Sequence, residues 1–110
     1  MDNEKLLAQK LTSLFPDPKE KEAVSEILSA YGIEKHEQEP FRVRLAILKL
    51  SGTDIEEIKK TTTYAKKDFR DILSWAEYPR QSKNWSMPEG PKKLKLEEAD
   101  KREYEEWLNT

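Results

Sequence analysis

Cysteine is absent from the 110-residue chain, and histidine occurs once, at His36. The lack of cysteine excludes disulfide bonds and thiolate chemistry, and it suits a reducing compartment. A zinc site is not expected, because His36 has no second histidine or cysteine to share a metal with. The sequence also lacks a glycine-rich phosphate loop, a nucleophile elbow and an HExxH motif. We therefore expect a non-enzymatic protein that holds no metal and no cofactor.

Long apolar runs are also missing. Hydrophobic residues make up 35% of the chain and charged residues 38%, with a net charge of −2. No stretch has the length of a membrane span, and the first residues, MDNEKLLAQK, lack the pattern of a signal peptide. We expect a cytoplasmic protein without membrane contact. The low apolar content predicts a thin core, or a core that a partner completes.

Glycine occurs three times and proline six times. They lie at the boundaries of segments whose apolar residues recur every three or four positions. That spacing is typical of helices, and no segment alternates as a strand would. The sequence predicts an all-α fold, an irregular bundle of four or five helices in a single domain over residues 1–110. We expect the helical core in residues 1–79, an extended strap in residues 80–95 and a C-terminal helix in residues 96–108.

The longest periodic segment spans residues 53–79. A capping-box pattern precedes its first turn, and a proline follows its last. Its inward positions are Ile55, Ile58, Thr62, Ala65, Phe69, Ile72 and Ala76. The spacing predicts one continuous helix from Ile55 to Glu77, with Thr62 facing the core.

Three successive threonines, at positions 61–63, leave an alternative open, because β-branched residues lower helix propensity. If the chain turned there, residues 41–77 would resemble a helix-turn-helix that binds nucleic acid. Its phosphate-binding side chains would then be basic ones on or beside the recognition helix: Lys59, Lys66, Lys67 and Arg70. Because Thr62 keeps the helical phase, we favour the continuous helix, and nucleic acid remains the alternative partner.

Arg44 is predicted to lie on an apolar side of a central helix. A buried arginine without a partner is costly, so we expect it to pair with a carboxylate. Asp68, Asp71 or a glutamate of a neighbouring helix is the expected partner.

Aromatic residues concentrate towards the C-terminal end of the chain. Trp75 lies about 110° from the middle of the core stripe, too far for helices packed on that stripe to cover it. We expect Trp85 or Trp107 to contact the face formed by Tyr64 and Trp75, within one chain or across a dimer. The candidate partner-binding residues are Tyr64, Trp75, Tyr78, Trp85 and Trp107. They favour a protein-interaction or assembly module whose partner is another protein or a second copy, in a homodimer.

The segment YAKKDFRDILSWAEYP, preceded by FRVRLAILKLSG, resembles a family of short bacterial proteins without an assigned function. The last residues, DKREYEEWLN, are similar to the ends of such proteins. The resemblance covers roughly the last two thirds of the chain and implies no catalytic residue. It implies that RDILSWAEYP is a unit with a shared packing or binding role.

Overall fold

The computed structural model describes residues 2–84, 86 and 88–110, and the regular secondary structure in this part of the chain is entirely helical. The predicted all-α fold is confirmed, although the described residues form seven helices where four or five were expected. The helices are α1 (Asn3–Leu14), α2 (Pro18–Ser29), α3 (Pro40–Ser51), α4 (Ile55–Lys67), α5 (Phe69–Glu77), α6 (Pro79–Lys83) and α7 (Pro91–Leu108). None of these helices is both long enough and apolar enough to cross a membrane.

Helix α3 lies at the centre of the fold, where it packs against α1, α4 and α5. Five of its apolar residues, which point in most directions, are fully buried. They are Val43, Leu45, Ala46, Ile47 and Leu48. The neighbouring helices contribute one apolar stripe each, so the core forms around α3.

The predicted continuous helix from Ile55 to Glu77 is wrong, because it breaks at Asp68. The backbone of Asp68 leaves helical geometry (φ −151°, ψ 89°), and its side chain accepts hydrogen bonds from the N–H groups of Arg70 and Asp71. An aspartate in this role is a strong N-cap, so it ends α4 and begins α5 in a single residue. The threonines are helical, and Thr62 faces the core as predicted, with 3% of its surface exposed.

The segment predicted as an extended strap is partly helical. Residues 79–83 form α6, and α7 begins at Pro91 instead of at residue 96. Asp100 of α7 is fully buried and accepts hydrogen bonds from the N–H groups of Arg80 and Gln81, both at 3.1 Å. These are first-turn N–H groups that a short helix cannot satisfy internally. A side chain of α7 therefore caps α6 and fixes it to the last helix.

The expected carboxylate partner of Arg44 is also wrong. Its guanidinium donates to the carbonyl oxygens of Leu28 and Tyr31 at the end of α2, at distances from 2.6 to 3.2 Å. The last carbonyls of a helix lack partners within the helix and carry partial negative charge. They replace a carboxylate here, while Asp68 caps α5 and Asp71 accepts a hydrogen bond from Tyr64.

A buried glutamate organises the loop between α2 and α3. Glu37 is 5% exposed, and its Oε1 accepts hydrogen bonds from the N–H groups of Gly32 (2.8 Å), Ile33 (3.0 Å) and Glu34 (3.4 Å). Its Oε2 accepts one from Lys66 Nζ at 2.8 Å. Burial opposes ionisation of this carboxyl group, but the bonds from Lys66 and the backbone outweigh it and lower the pKa of Glu37 to about 2. The loop is thus tied to α4 through one ion pair.

Candidate functional site

Three exposed apolar side chains meet at one groove on the surface. Leu50 is 40% exposed, Tyr64 40% and Trp75 44%. The described residues include six exposed large hydrophobic side chains, and these three are half of them. The groove has a volume of about 290 Å³. Its lining residues are Leu50, Lys60, Thr61, Tyr64, Ile72 and Trp75. We call it the aromatic groove.

The break at Asp68 brings the two rings of the aromatic groove together. Tyr64 lies near the end of α4, and Trp75 lies on α5, which packs against α4 after the break. Their ring centroids are 5.4 Å apart and the ring planes are inclined by 42°, a geometry typical of favourable aromatic pairs. Ile72, three residues before Trp75, is buried and fixes α5 against the core. The groove is therefore formed by two adjacent helices with α3 at one end.

A hydrogen bond fixes the ring of Tyr64. Its hydroxyl donates to Asp71 Oδ2 at 2.9 Å, and this bond to the carboxylate raises the pKa of Tyr64 above its ordinary value. Holding the ring in one position reduces the entropy that is lost when a partner binds. The ring of Tyr64 is thus held in one orientation at the surface.

Lysine side chains of α4 border the aromatic groove. Lys59, Lys60 and Lys67 line an adjoining concavity of about 380 Å³ that shares Tyr64 with the groove. Lys59 lies 3.4 Å from Glu56, and Lys60 lies 3.6 Å from Glu57. Exposed pairs of this kind are worth only about 0–1 kcal/mol, so both lysines can exchange partners at little cost. In the described part of the chain, the ammonium group of Lys67 has no ion pair.

The residues predicted to bind nucleic acid do not all lie together. Lys59 and Lys67 line the concavity beside Tyr64. Lys66 is not available to a phosphate, because it donates to Glu37 Oε2 at 2.8 Å and to the carbonyl of Ala30 at 2.7 Å. Arg70 is exposed on α5 and lines neither concavity.

The predicted partner-binding aromatics are also divided. Tyr64 and Trp75 share the aromatic groove, but Trp107 stacks on Tyr104 with centroids 5.9 Å apart. The ammonium of Lys10 lies 4.4 Å from the ring centroid of Trp107, in a cation–π contact between α1 and α7. No residue of α7 lines the aromatic groove, so Trp107 does not cover it. Trp85, the other side chain expected to cover Trp75, lies outside the described residues, as does Met87.

A second, larger groove of about 530 Å³ lies between α1, the junction of α5 with α6, and α7. Tyr78, which is 43% exposed, lines this groove together with Tyr104. Glu77 in its wall is neutralised by Arg42, whose Nε and Nη2 donate to the two carboxylate oxygens at 2.9 and 2.6 Å. This fork geometry is a strong charge-assisted contact, so it holds α3 to α5.

Three side chains of the aromatic groove, Leu50, Lys60 and Thr61, are not among the residues that the sequence predicted to bind a partner or nucleic acid. Leu50 lies on the apolar helix α3, and Lys60 and Thr61 lie on α4. Their proximity to Trp75 follows from the break at Asp68, which no apolar spacing marks. Within the described residues, no cluster of three His, Asp or Glu side chains could hold a metal ion. Comparison of the chain with protein-family models, curated proteins and solved structures finds no match, so the resemblance to a family of short bacterial proteins stays a prediction.

Proposed function

We propose that the protein is a non-enzymatic interaction module of the cytoplasm that docks a protein partner in the aromatic groove. The observation that carries this proposal is the convergence of Leu50, Tyr64 and Trp75, each at least 40% exposed, on one concave surface. Adjacent exposed apolar side chains are typical of interaction sites. Tryptophan and tyrosine are also the residues that most often dominate binding energy at protein interfaces.

The chemistry of the groove indicates the kind of partner. An apolar side chain of the partner would fill the space between Tyr64 and Trp75, where it would lose its contact with water. Carboxylates beside that side chain would meet Lys59, Lys60 and Lys67, all exposed on α4. We therefore infer a partner segment that combines an apolar or aromatic anchor with acidic residues.

Trp75→Ser tests the proposal. Because more than half of Trp75 is buried and its ring packs on Tyr64, we expect the free energy of unfolding to fall by about 1–3 kcal/mol, and unchanged helical circular dichroism verifies that the variant still folds. Loss of an interface tryptophan costs about 2 kcal/mol or more of binding energy, so partner affinity should fall at least tenfold. The measurement is a pull-down from the native host that compares the proteins bound by the wild type with those bound by the variant. The affinity of each purified partner is then measured for both proteins.

Leu94→Ser provides the matched control, because Leu94 is 55% exposed on α7 and does not line the aromatic groove. Its partner affinity should equal that of the wild type. If Trp75→Ser keeps every partner at unchanged affinity while its fold is intact, the aromatic groove is not the docking face.

A second candidate function is nucleic-acid binding by residues 41–77, the alternative that the sequence left open. The surface beside Tyr64 fits a single strand. One observation favours it: Lys59, Lys60 and Lys67 adjoin an exposed tyrosine, and bases stack on such rings while lysines contact phosphates. With three phosphate contacts, the logarithm of the binding constant should fall with the logarithm of salt concentration with a slope of about −2. If the protein does not change the electrophoretic mobility of single-stranded DNA, this function is excluded.

A further inference from the structure

We propose that the protein partner is a second copy of this chain, and that the α4 helices of the two copies pack antiparallel around a two-fold axis at the level of Thr62. This inference rests on the proposed function, since it identifies the occupant of the surface formed by the aromatic groove and the lysines beside it. It follows from the order of the exposed residues on α4.

The outward side of α4 carries one row of exposed side chains, Glu57, Lys60, Tyr64 and Lys67. Their separations of three, four and three residues place them along a single helix face. The opposite face of α4 holds Ile58, Thr62 and Ala65, which are buried in the core. The row is therefore the part of α4 that an approaching molecule meets first.

The row is complementary to itself when it is reversed. Thr62 lies midway in the sequence between Glu57 and Lys67, and also midway between Lys60 and Tyr64. In an antiparallel pair with its two-fold axis at this level, Glu57 faces Lys67 of the second copy. Lys60 then faces the ring of Tyr64 of the second copy, as in a cation–π contact. A two-fold axis repeats each contact, so one register forms two ion pairs and two cation–π contacts.

The existing contacts of the row do not oppose this register. Glu57 meets Lys60 of its own helix at 3.6 Å, an exposed pair that exchanges readily, and Lys67 has no ion pair among the described residues. The net charge of −2 per chain gives little long-range repulsion between copies. Trp75 packs on the ring of Tyr64, which belongs to the row, so packing of the two α4 helices would also cover the aromatic groove.

Charge exchange tests the register. Lys67→Glu places two glutamates opposite each other at both contacts, and Glu57→Lys places two lysines there. We expect each single variant to raise the dimer dissociation constant at least about tenfold in sedimentation equilibrium. The double variant Glu57→Lys/Lys67→Glu should return it to near the wild-type value. An equimolar mixture of the two single variants should also dimerise, because each contact again joins opposite charges.

Lys95→Glu is the matched control, because it makes the same change of charge at an exposed residue of α7 that lines neither the aromatic groove nor the concavity beside it. It should leave the dissociation constant within a few-fold of the wild-type value. All of these residues are exposed, and unchanged helical circular dichroism verifies that each variant folds.

Three results would overturn the inference. The first is a wild type that stays monomeric up to about 100 µM, well above the range of modest interfaces. The second is a dimer that neither single charge variant weakens, and the third is a weakened dimer that neither the double variant nor the mixture restores. In each case, loss of a different protein partner by Trp75→Ser would still support docking in the aromatic groove, so the two proposals fail separately.

Discussion

Replacement of Glu37 with alanine is expected to lower the free energy of unfolding by about 2–4 kcal/mol, because a buried carboxylate that accepts four hydrogen bonds is removed. The carboxylate is 5% exposed and accepts bonds from three backbone N–H groups and from Lys66. Without it, the three backbone N–H groups of the loop and Lys66 lose the acceptor that joins them. Urea denaturation monitored by circular dichroism at pH 7 measures the loss.

Glu34→Ala is the control for this prediction. Glu34 lies in the same loop, but its side chain is exposed, so its replacement should change the free energy of unfolding by no more than about 0.5 kcal/mol. If the two variants differ by less than about 1 kcal/mol, Glu37 does not organise the loop through its buried carboxylate.

The same carboxylate predicts a dependence of stability on pH. The pKa of Glu37 in the folded protein is about 2, below its ordinary value of 4.5. Because folding lowers this pKa, the stabilising contribution is complete above about pH 4.5 and is lost as the pH falls towards 2. The wild type should therefore lose more stability than Glu37→Gln between these pH values. Parallel curves for the two proteins would contradict the assignment.

Asp100→Ala is expected to produce the second large loss, about 2–4 kcal/mol, because a buried side chain that caps one helix and pairs with an arginine is removed. Asp100 is fully buried and accepts from the backbone and the side chains of both Arg80 and Gln81. Burial alone would raise its pKa, but these hydrogen bonds outweigh burial and lower it. The amide protons of Arg80 and Gln81 should exchange with solvent much faster in the variant.

Glu98→Ala is the matched control for Asp100→Ala. Glu98 lies two residues earlier on α7, and its side chain is exposed. Replacement of an exposed side chain usually changes stability by no more than about 0.5 kcal/mol, so this variant should stay close to the wild type. If both variants unfold at the same urea concentration, the capping role of Asp100 is wrong.

Much of the fold could be predicted because helices leave a period in the sequence. The spacing of Ile58, Thr62 and Ala65 identified the buried face of α4 correctly. The break at Asp68 could not be found in this way, because a single capping residue interrupts the backbone without shifting the apolar period from Ala65 to Phe69. The same limit applies to Arg44, whose partners are backbone carbonyls that no side-chain pattern marks.

The candidate site was less predictable, since it depends on contacts between distant segments. Tyr64 and Trp75 lie together because both project from the flank of neighbouring helices. Lys66 was grouped with exposed basic residues, but its acceptor, Glu37, lies in a polar loop that gave no sign of burial. Trp107 was one of two tryptophans expected near Trp75, within one chain or across a dimer, and within this chain it lies against Lys10 of α1.

The central claim is that the aromatic groove docks a protein partner. It is tested most directly by a photoreactive phenylalanine derivative placed at position 75, with the same group at position 94 as the control. Both positions carry exposed apolar side chains, at 44% and 55%, but only Trp75 lines the groove.

After irradiation in the native host, the expected result is a covalent protein adduct from position 75 and little or none from position 94. For a dimer of this chain, mass spectrometry should locate the adduct on residues of α4 or α5 of a second copy. Equal adduct yields at the two positions, or no protein adduct at position 75, would contradict the claim.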